Sequence, residues 1–289
     1  MQKLFTRILV PVSFNRGTGL AIDKAIQLAN RFACDIHLLY VRPVPGLLSF
    51  LHARYFSGYS APSANTNLAR KLKHLEDSNR EKLQDGLLIS SSVIPGNWQS
   101  VMKQTIIAEH IDLVVVPGKR SRLHRALIHG INLNTLSLQT QCPVLTVTSR
   151  FNISQLQNIV VPVGDCLPVK KLTIATYLCR EVDGNIHLMG SGDYSHNGGE
   201  KKRFLIKAYK LLNDYGHVRI NCSLSGDLDN PANTLAYARE VQADLIVVNT
   251  GKESLLNGWW NRLMGKYLYR ESDIPVLTIA PQYDMMPFN

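Results

Sequence analysis

The sequence predicts two doubly wound α/β domains in tandem. Three observations carry this. One block is written twice: Asp112–Val116 (DLVVV) is followed, 31 positions after its Asp, by Pro143–Val147 (PVLTV). Asp244–Val248 (DLIVV) is followed, again 31 positions after its Asp, by Pro275–Ile279 (PVLTI). A repeat this long marks a duplicated domain, because solenoid units run only about 20–50 residues. Second, each copy opens on a matching strand, Ile8–Val12 and Ile159–Val163. Third, short β-branched runs without polar alternation alternate with longer amphipathic stretches. Strands covered on both faces read this way, and they belong to parallel sheets.

Taken in order, the first half has strands at Ile8–Val12, Ile36–Val41, Leu113–Val116 and Val144–Val147. Gly19–Phe32 places Leu20, Ile22, Ala25, Ile26, Leu28 and Ala29 at helical spacing. Gln99–His110 predicts another helix, with Val101, Met102, Ile106, Ile107 and Ala108 turned inward. In the second half the strands are Ile159–Val163, Asn185–Met189, Val218–Leu224, Leu245–Val248 and Val276–Ile279. Helices fall near Val169–Val182, Lys201–Tyr215 and Ala232–Val241. Right-handed β-α-β crossovers then give two sheets with helices on both faces. The expected domains are 1–150 and 151–289, with the boundary near Ser149–Gln157.

The spacing between second and fourth strands shows that the first half carries about 18 extra residues. They fall in Pro43–Arg80, where Pro43, Pro45, Gly46, Gly58 and Pro62 predict a long loop. Leu47, Leu48, Phe50, Tyr55, Phe56 and Tyr59 make it apolar, as a cover on the fold or a lid on a ligand.

A chain of 289 residues suits two domains, and 45 % hydrophobic with 19 % charged residues is an ordinary globular composition. The five cysteines, an odd number with no C-x-x-C pair, predict buried free thiols in a reducing compartment. Met1 leads almost directly into a strand, and no apolar run reaches the roughly 18 residues of a membrane span. The expectation is a cytoplasmic protein without a membrane partner. The net charge of +10 favours anionic surfaces in general. No zinc finger, RNA-binding aromatic motif or helix-turn-helix accompanies it, so no specific nucleic acid is expected.

The ordered blocks resemble the universal stress protein family, and its tandem members in particular. The matching residues are the Val-Pro-Val of the first strands, Ile36–Leu38 and Ile186–Leu188 (IHL), Ala243–Val248 (ADLIVV) and Cys142–Leu145 (CPVL). The resemblance implies Rossmann-like domains of strand order 3-2-1-4-5. It also implies pairing through the fifth strands, Val144–Val147 with Val276–Ile279, as an internal pseudo-dimer that associates further into a homodimer.

Nucleotide-binding members of the family carry Gly-x-x-Gly, nine residues, then Gly-Ser or Gly-Thr after the fourth strand. There the glycines let backbone N–H groups close on phosphates. An Asp follows their first strand. Counted from Asp112, those positions fall on Pro117, Arg120, Gly130 and Ile131, with Gly118 one residue off the first; the Asp position is Ser13. Counted from Asp244 they fall on Asn249, Lys252, Arg262 and Leu263, and the Asp position is Gly164, with Asp165 next. Proline has no N–H to offer. The expectation is a non-catalytic stress-response protein that acts through protein contacts, with no cofactor and no metal. ATP or AMP is the alternative ligand, with Ser13, Val41, Gly118, Lys119, Arg120, Arg122 and Gly130 as candidate cofactor-binding residues. The cations crowding Gly118–Gly130 could hold an anion by charge where amides cannot, or form a solvated loop. A weak nucleotide hydrolase is the third reading.

Other residues give little chemistry. His124 and His129 are five apart, one more than paired zinc ligands on a helix use. His37 and His187 recur as packed strand residues, and Asp112 and Asp244 as loop or cap residues. Cys142 has Ile274 at its place in the other half, so a nucleophile is not indicated. Trp259 and Trp260 lie in the segment that replaces the second phosphate loop.

Overall fold

The computed structural model describes residues 3–14, 16–44, 62–118, 132–164, 166–180, 182–191, 198–215, 217–225, 228, 230–250, 268 and 272–281, with backbone alone at 16, 62–65, 198–201 and 225. The insertion between 45 and 61, the segment 119–131 and the segment 251–267 lie outside them. The chain divides into two compact units, Met1–Cys142 and Pro143–Asn289.

The first unit runs β1 (Arg7–Pro11), α1 (Arg16–Phe32), β2 (Asp35–Arg42), α2 (Pro62–Arg80), β3 (Ile89–Pro95), α3 (Trp98–Ala108), β4 (Leu113–Pro117) and α4 (Leu133–Thr140). Its strands are parallel in the order β3-β2-β1-β4. Ile8, Leu9 and Val10 are wholly buried, as are Ala21 and Ala25 on the inner face of α1. Asparagine starts the later helices: the Asn97 side chain accepts from the N–H groups of Gln99 and Ser100, and the Asn132 side chain from Thr135. Each satisfies orphan donors of a first turn. Val101, Met102 and Ile106 face inward on α3 as expected, but Ile107 is 57 % exposed and Ala108 is exposed as well. Ile107 follows Ile106 by one residue, a rotation of about 100° that carries it off the buried face.

The expected loop at Pro43–Arg80 is corrected over its second part, because Pro62–Arg80 is helix α2. Pro62 is a breaker inside a helix but well suited to its first position, where no N–H is needed. The helix docks through polar as well as apolar groups. Leu72 is buried, and the buried Glu76 accepts from Ser91 Oγ at 2.7 Å, Lys73 Nζ at 2.5 Å and Arg80 at 3.0 Å. Burial alone would raise the Glu76 pKa, but these bonds outweigh it and hold the carboxyl below its ordinary value.

On the opposite face of β3, Ser90 Oγ and Ser92 Oγ bind the two ring nitrogens of His37, at 3.0 and 2.8 Å. The expected packed role of His37 and His187 is what the fold uses. His187 meets Asn158 Oδ1 at 3.2 Å and the Tyr237 hydroxyl at 3.4 Å.

The second unit runs β5 (Val144–Val147), a 3-10 turn (Ile153–Gln155), β6 (Asn158–Val163), α5 (Val169–Cys179), β7 (Asn185–Ser191), α6 (Gly198–Tyr215), β8 (Arg219–Ser225), α7 (Pro231–Glu240), β9 (Leu245–Asn249) and β10 (Val276–Ile279). Parallel strands β8-β7-β6-β9-β10 give the order 3-2-1-4-5 expected for a repeat. The last strand of the first repeat, β5, lies in this unit and pairs antiparallel with β10, Leu145 opposite Leu277. Thr146 fastens the pair from both sides: its hydroxyl donates to Val276 O at 3.1 Å and accepts from Val276 N at 3.2 Å. On α7, Asn230 caps and Pro231 begins the helix, while Leu235 and Ala238 pack on Val160, Ile246 and Val276.

Both repeats anchor the first strand with one carboxylate. Asp112 accepts from Thr6 N at 2.7 Å, Thr6 Oγ1 at 2.6 Å and Arg7 N at 3.1 Å. Asp244 accepts from Gln157 N and Asn158 N, both at 2.9 Å. The cap role read for the two aspartates is their observed role. Charge-assisted bonds of this kind contribute about 1.5–3 kcal/mol each when shielded, and less here because the sites are open to water. We expect Asp112→Ala to cost on the order of 1–3 kcal/mol and Asp112→Asn, which keeps one acceptor, to cost less. Urea unfolding midpoints check this; equal midpoints for Asp112→Ala and the parent chain would contradict the anchor.

Burial holds the imidazoles of His37 and His187 below the ordinary value of 6.5; at His37, Arg7 lowers further while Glu109 and Glu76 oppose. The unfolded chain therefore takes up protons first as pH falls through 6.5. Stability is full above that value and is lost as pH falls toward the folded-state values. A urea midpoint lower at about pH 5.5 than at about pH 7.5 is expected, with a shallower dependence in His37→Gln.

Candidate functional site

In an open α/β sheet the natural site is the crevice at the carboxyl ends of the strands, where the strand order reverses. That point lies between β1 and β4 in the first unit, and between β6 and β9 in the second. The strand pairing marks the place. β1 meets β4 only at Ile8–Leu113 and Leu9–Val114, and β6 meets β9 only at Ile159–Leu245 and Val160–Ile246. The carboxyl ends of the strands, past these pairs, are where such a crevice lies.

In the first unit, Ser13 stands just past β1. Its N–H donates to Thr18 Oγ1 at 3.1 Å, and the two hydroxyls lie 3.4 Å apart. Thr18 is itself buried in the first turn of α1, so the loop after β1 closes on its own helix. Phe14 holds a left-handed backbone, φ 54°, and lays its ring on Tyr40 at 5.1 Å between centroids. Val41 is buried in β2, and Val12 N donates to Leu39 O at 2.8 Å. Gly118 follows β4 directly and is half-buried, next to the buried Pro117. The structure therefore brings Ser13, Val41 and Gly118 to the carboxyl ends of β1, β2 and β4. Lys119, Arg120, Arg122 and Gly130 lie outside the described residues.

In the second unit the strand ends carry a residue that sequence reasoning missed. Lys171, in the first turn of α5, is 1 % exposed, and its Nζ donates to Pro162 O at 2.6 Å. In the register set by Ile36 and Ile186, the same place in the first repeat holds Ala21. That internal comparison is the signal that could have found it. Ser191, Asn249 and Thr250, at the ends of β7 and β9, are also buried, and Thr250 N donates to Ile279 O at 2.8 Å. Gly164 is half-buried beside them.

Nucleophilic and metal chemistry find few groups to use. Cys34 and Cys179 are buried, and burial first, then the nearby Asp112 and Asp244 respectively, push both thiols up to about 12. A thiol so raised stays protonated and is a poor nucleophile. The expectation of buried thiols fails for two of the five, since Cys166 and Cys222 are exposed. Cys222 sits on β8, whose outer side is a sheet edge, which explains its exposure. Among the described residues no group of three His, Cys, Asp or Glu side chains could hold a metal ion. Among them, too, no helix is long and apolar enough to cross a membrane.

Comparison with known proteins follows the fold. A universal stress protein from Archaeoglobus fulgidus superposes with a TM-score of 0.66 at 14 % identity, covering 97 % of this chain and 99 % of that one. A functionally unknown protein from Pseudomonas aeruginosa superposes at 0.59 with 16 % identity, covering 96 % of this chain and 93 % of that one. At such identities the likeness is one of fold. No curated protein matches the chain. The model of the Universal stress protein family matches residues 4–148, one complete repeat and just over half of the sequence. With that match on the first repeat and the same strand order in the second, the chain belongs to the universal stress protein family as a tandem member.

Proposed function

We propose that this chain is a non-catalytic stress-response protein of the kind that does not bind nucleotide, and that it acts through protein contacts. The observation that carries this reading is Lys171. A nucleotide pocket needs open, mostly apolar volume with a few convergent polar groups. In the second unit a long side chain stands buried at the end of β6, tethered to Pro162 O, where the other repeat has only the methyl group of Ala21.

The first unit supports the same reading by other means. The Ser13 N–H is taken by Thr18, and Ser13 offers no carboxylate at the place where binders carry Asp. Pro117 brings no N–H to the first glycine position. The raised thiols of Cys34 and Cys179 weigh against covalent catalysis at those two residues. A cytoplasmic location fits the same picture.

The nucleotide test is direct. The full chain, purified without added ligand, should show the 260/280 nm absorbance ratio of protein alone, and titration calorimetry with ATP and with AMP should give no saturable heat. Saturable heat with either would overturn the reading. An anion sensor is the second reading, favoured by the cations of Gly118–Gly130. It requires heat with tripolyphosphate that disappears in Arg120→Ala and Arg122→Ala.

A further inference from the structure

Duplication supplies an internal control for surfaces as well as for crevices. In the first unit, the helix that leads into the third strand pairs two of its cations, Lys73 and Arg80, with its own carboxylates. On α2, Lys73 pairs with Glu76 and Asp77, and Arg80 with Glu76. Ser91 of β3 closes the set by donating to Glu76.

The counterpart in the second unit, α6 over β8, is built differently. Arg203, Lys207 and Lys210 are exposed, and among the described residues none of the three has a carboxylate at ion-pair distance. Lys207 instead lies over the Phe204 ring, 5.6 Å from its centroid. Apolar groups stand open beside these cations. Ile206 is 53 % exposed, Tyr209 42 % and Leu224 49 %.

These residues form one surface. Side chains of alternate strand residues share a face, so Ile220, Cys222 and Leu224 lie together. That face is the α6 side: a methyl group built on Gly190 would meet both Leu205 Cδ2 of α6, at 2.7 Å, and Leu224 Cδ2, at 3.2 Å. The other face belongs to α7, where Tyr237 bonds Ser223. With about 100° between successive helical residues, Tyr209 and Ile206 continue the flank of α6 that begins at Leu205, the residue that shares the Gly190 surface with Leu224. Arg203, Lys207 and Lys210 form the flank beyond. An apolar strip therefore runs from the open edge of the sheet onto α6 and ends in a row of cations.

We propose that this strip is the docking surface for an acidic, amphipathic segment of a partner protein. Its apolar side chains cover Leu224, Tyr209 and Ile206, and its carboxylates meet Arg203, Lys207 and Lys210. Charge complementarity selects the occupant. A second copy of this chain would bring the same cations against themselves, in a protein of net charge +10. A nucleic-acid backbone would match the cations but leave the apolar strip uncovered. The proposal rests on the reading that the chain works through protein contacts, and its test is independent of the nucleotide titrations.

Fluorescence anisotropy of the full chain with labelled synthetic peptides supplies that test. The probes are a Glu/Leu amphipathic peptide, its Lys/Leu counterpart and an all-Glu peptide of equal length; phosphatidylglycerol vesicles and a short DNA duplex complete the set. The Glu/Leu peptide should bind saturably, and at least about tenfold more tightly than either other peptide, or about 1.4 kcal/mol. Arg203→Glu with Lys207→Glu and Lys210→Glu should weaken it about tenfold or more, as should Leu224→Glu. Arg70→Glu with Lys71→Glu, on the exposed side of α2, should leave it unchanged. All these positions are exposed, and melting curves verify the fold of each variant. Absence of peptide binding at millimolar concentration overturns the proposal. So does binding indifferent to the charge reversals, and so does capture of vesicles or DNA in place of the Glu/Leu peptide.

Discussion

One carboxylate at the foot of each repeat sets the geometry of everything above it. Asp112 and Asp244 receive the N–H groups that open β1 and β6, just where those strands begin to pair with β4 and β9. The pairing itself is two residues long in each case. The crevice lies at the other end of these strands, where the strand order reverses. Anchor and crevice thus lie at opposite ends of the same strands, and the aspartates keep one structural role in both repeats while the crevice residues differ.

The two repeats take separate routes at the crevice. The first closed its loop with Ser13 and Thr18 and turned Phe14 onto Tyr40. The second buries Lys171 against Pro162 O at the end of β6. Neither route disturbs the strands, because the changes sit at their ends, past the ladders that bury Ile8–Val10 and Ile159–Val161. A fold whose core and site occupy different ends of the same strands can change one and keep the other.

Much of this was legible in the sequence, and the misses share a cause. Central strands announce themselves because both faces are apolar. The third strand of the first repeat did not, since Ser90, Ser91 and Ser92 at its heart look like a loop. They tolerate the sheet because His37 on one face and Glu76 on the other satisfy their hydroxyls. Helix α2 was hidden for a related reason: Pro62 and its small polar neighbours resemble a turn, and the buried carboxylate resembles a solvent-facing one. Lys171 was invisible because a lysine in an amphipathic pattern is ordinarily placed in water. Hydrophobic periodicity detects burial driven by the solvent, and it misses burial secured by hydrogen bonds. Among the candidate residues, Ser13, Val41 and Gly118 fall at the strand ends.

The seam of the duplication and the seam of the folded units do not coincide. The sequence repeats from about residue 151, whereas the second unit begins at Pro143 and takes β5 with it. Val276 depends on Thr146 for two bonds across that offset. A chain that lost its first copy at the genetic seam would expose the whole flank of β10, a bare row of amides and carbonyls inviting foreign strands. Fusion here supplies, within one chain, the strand that covers this edge.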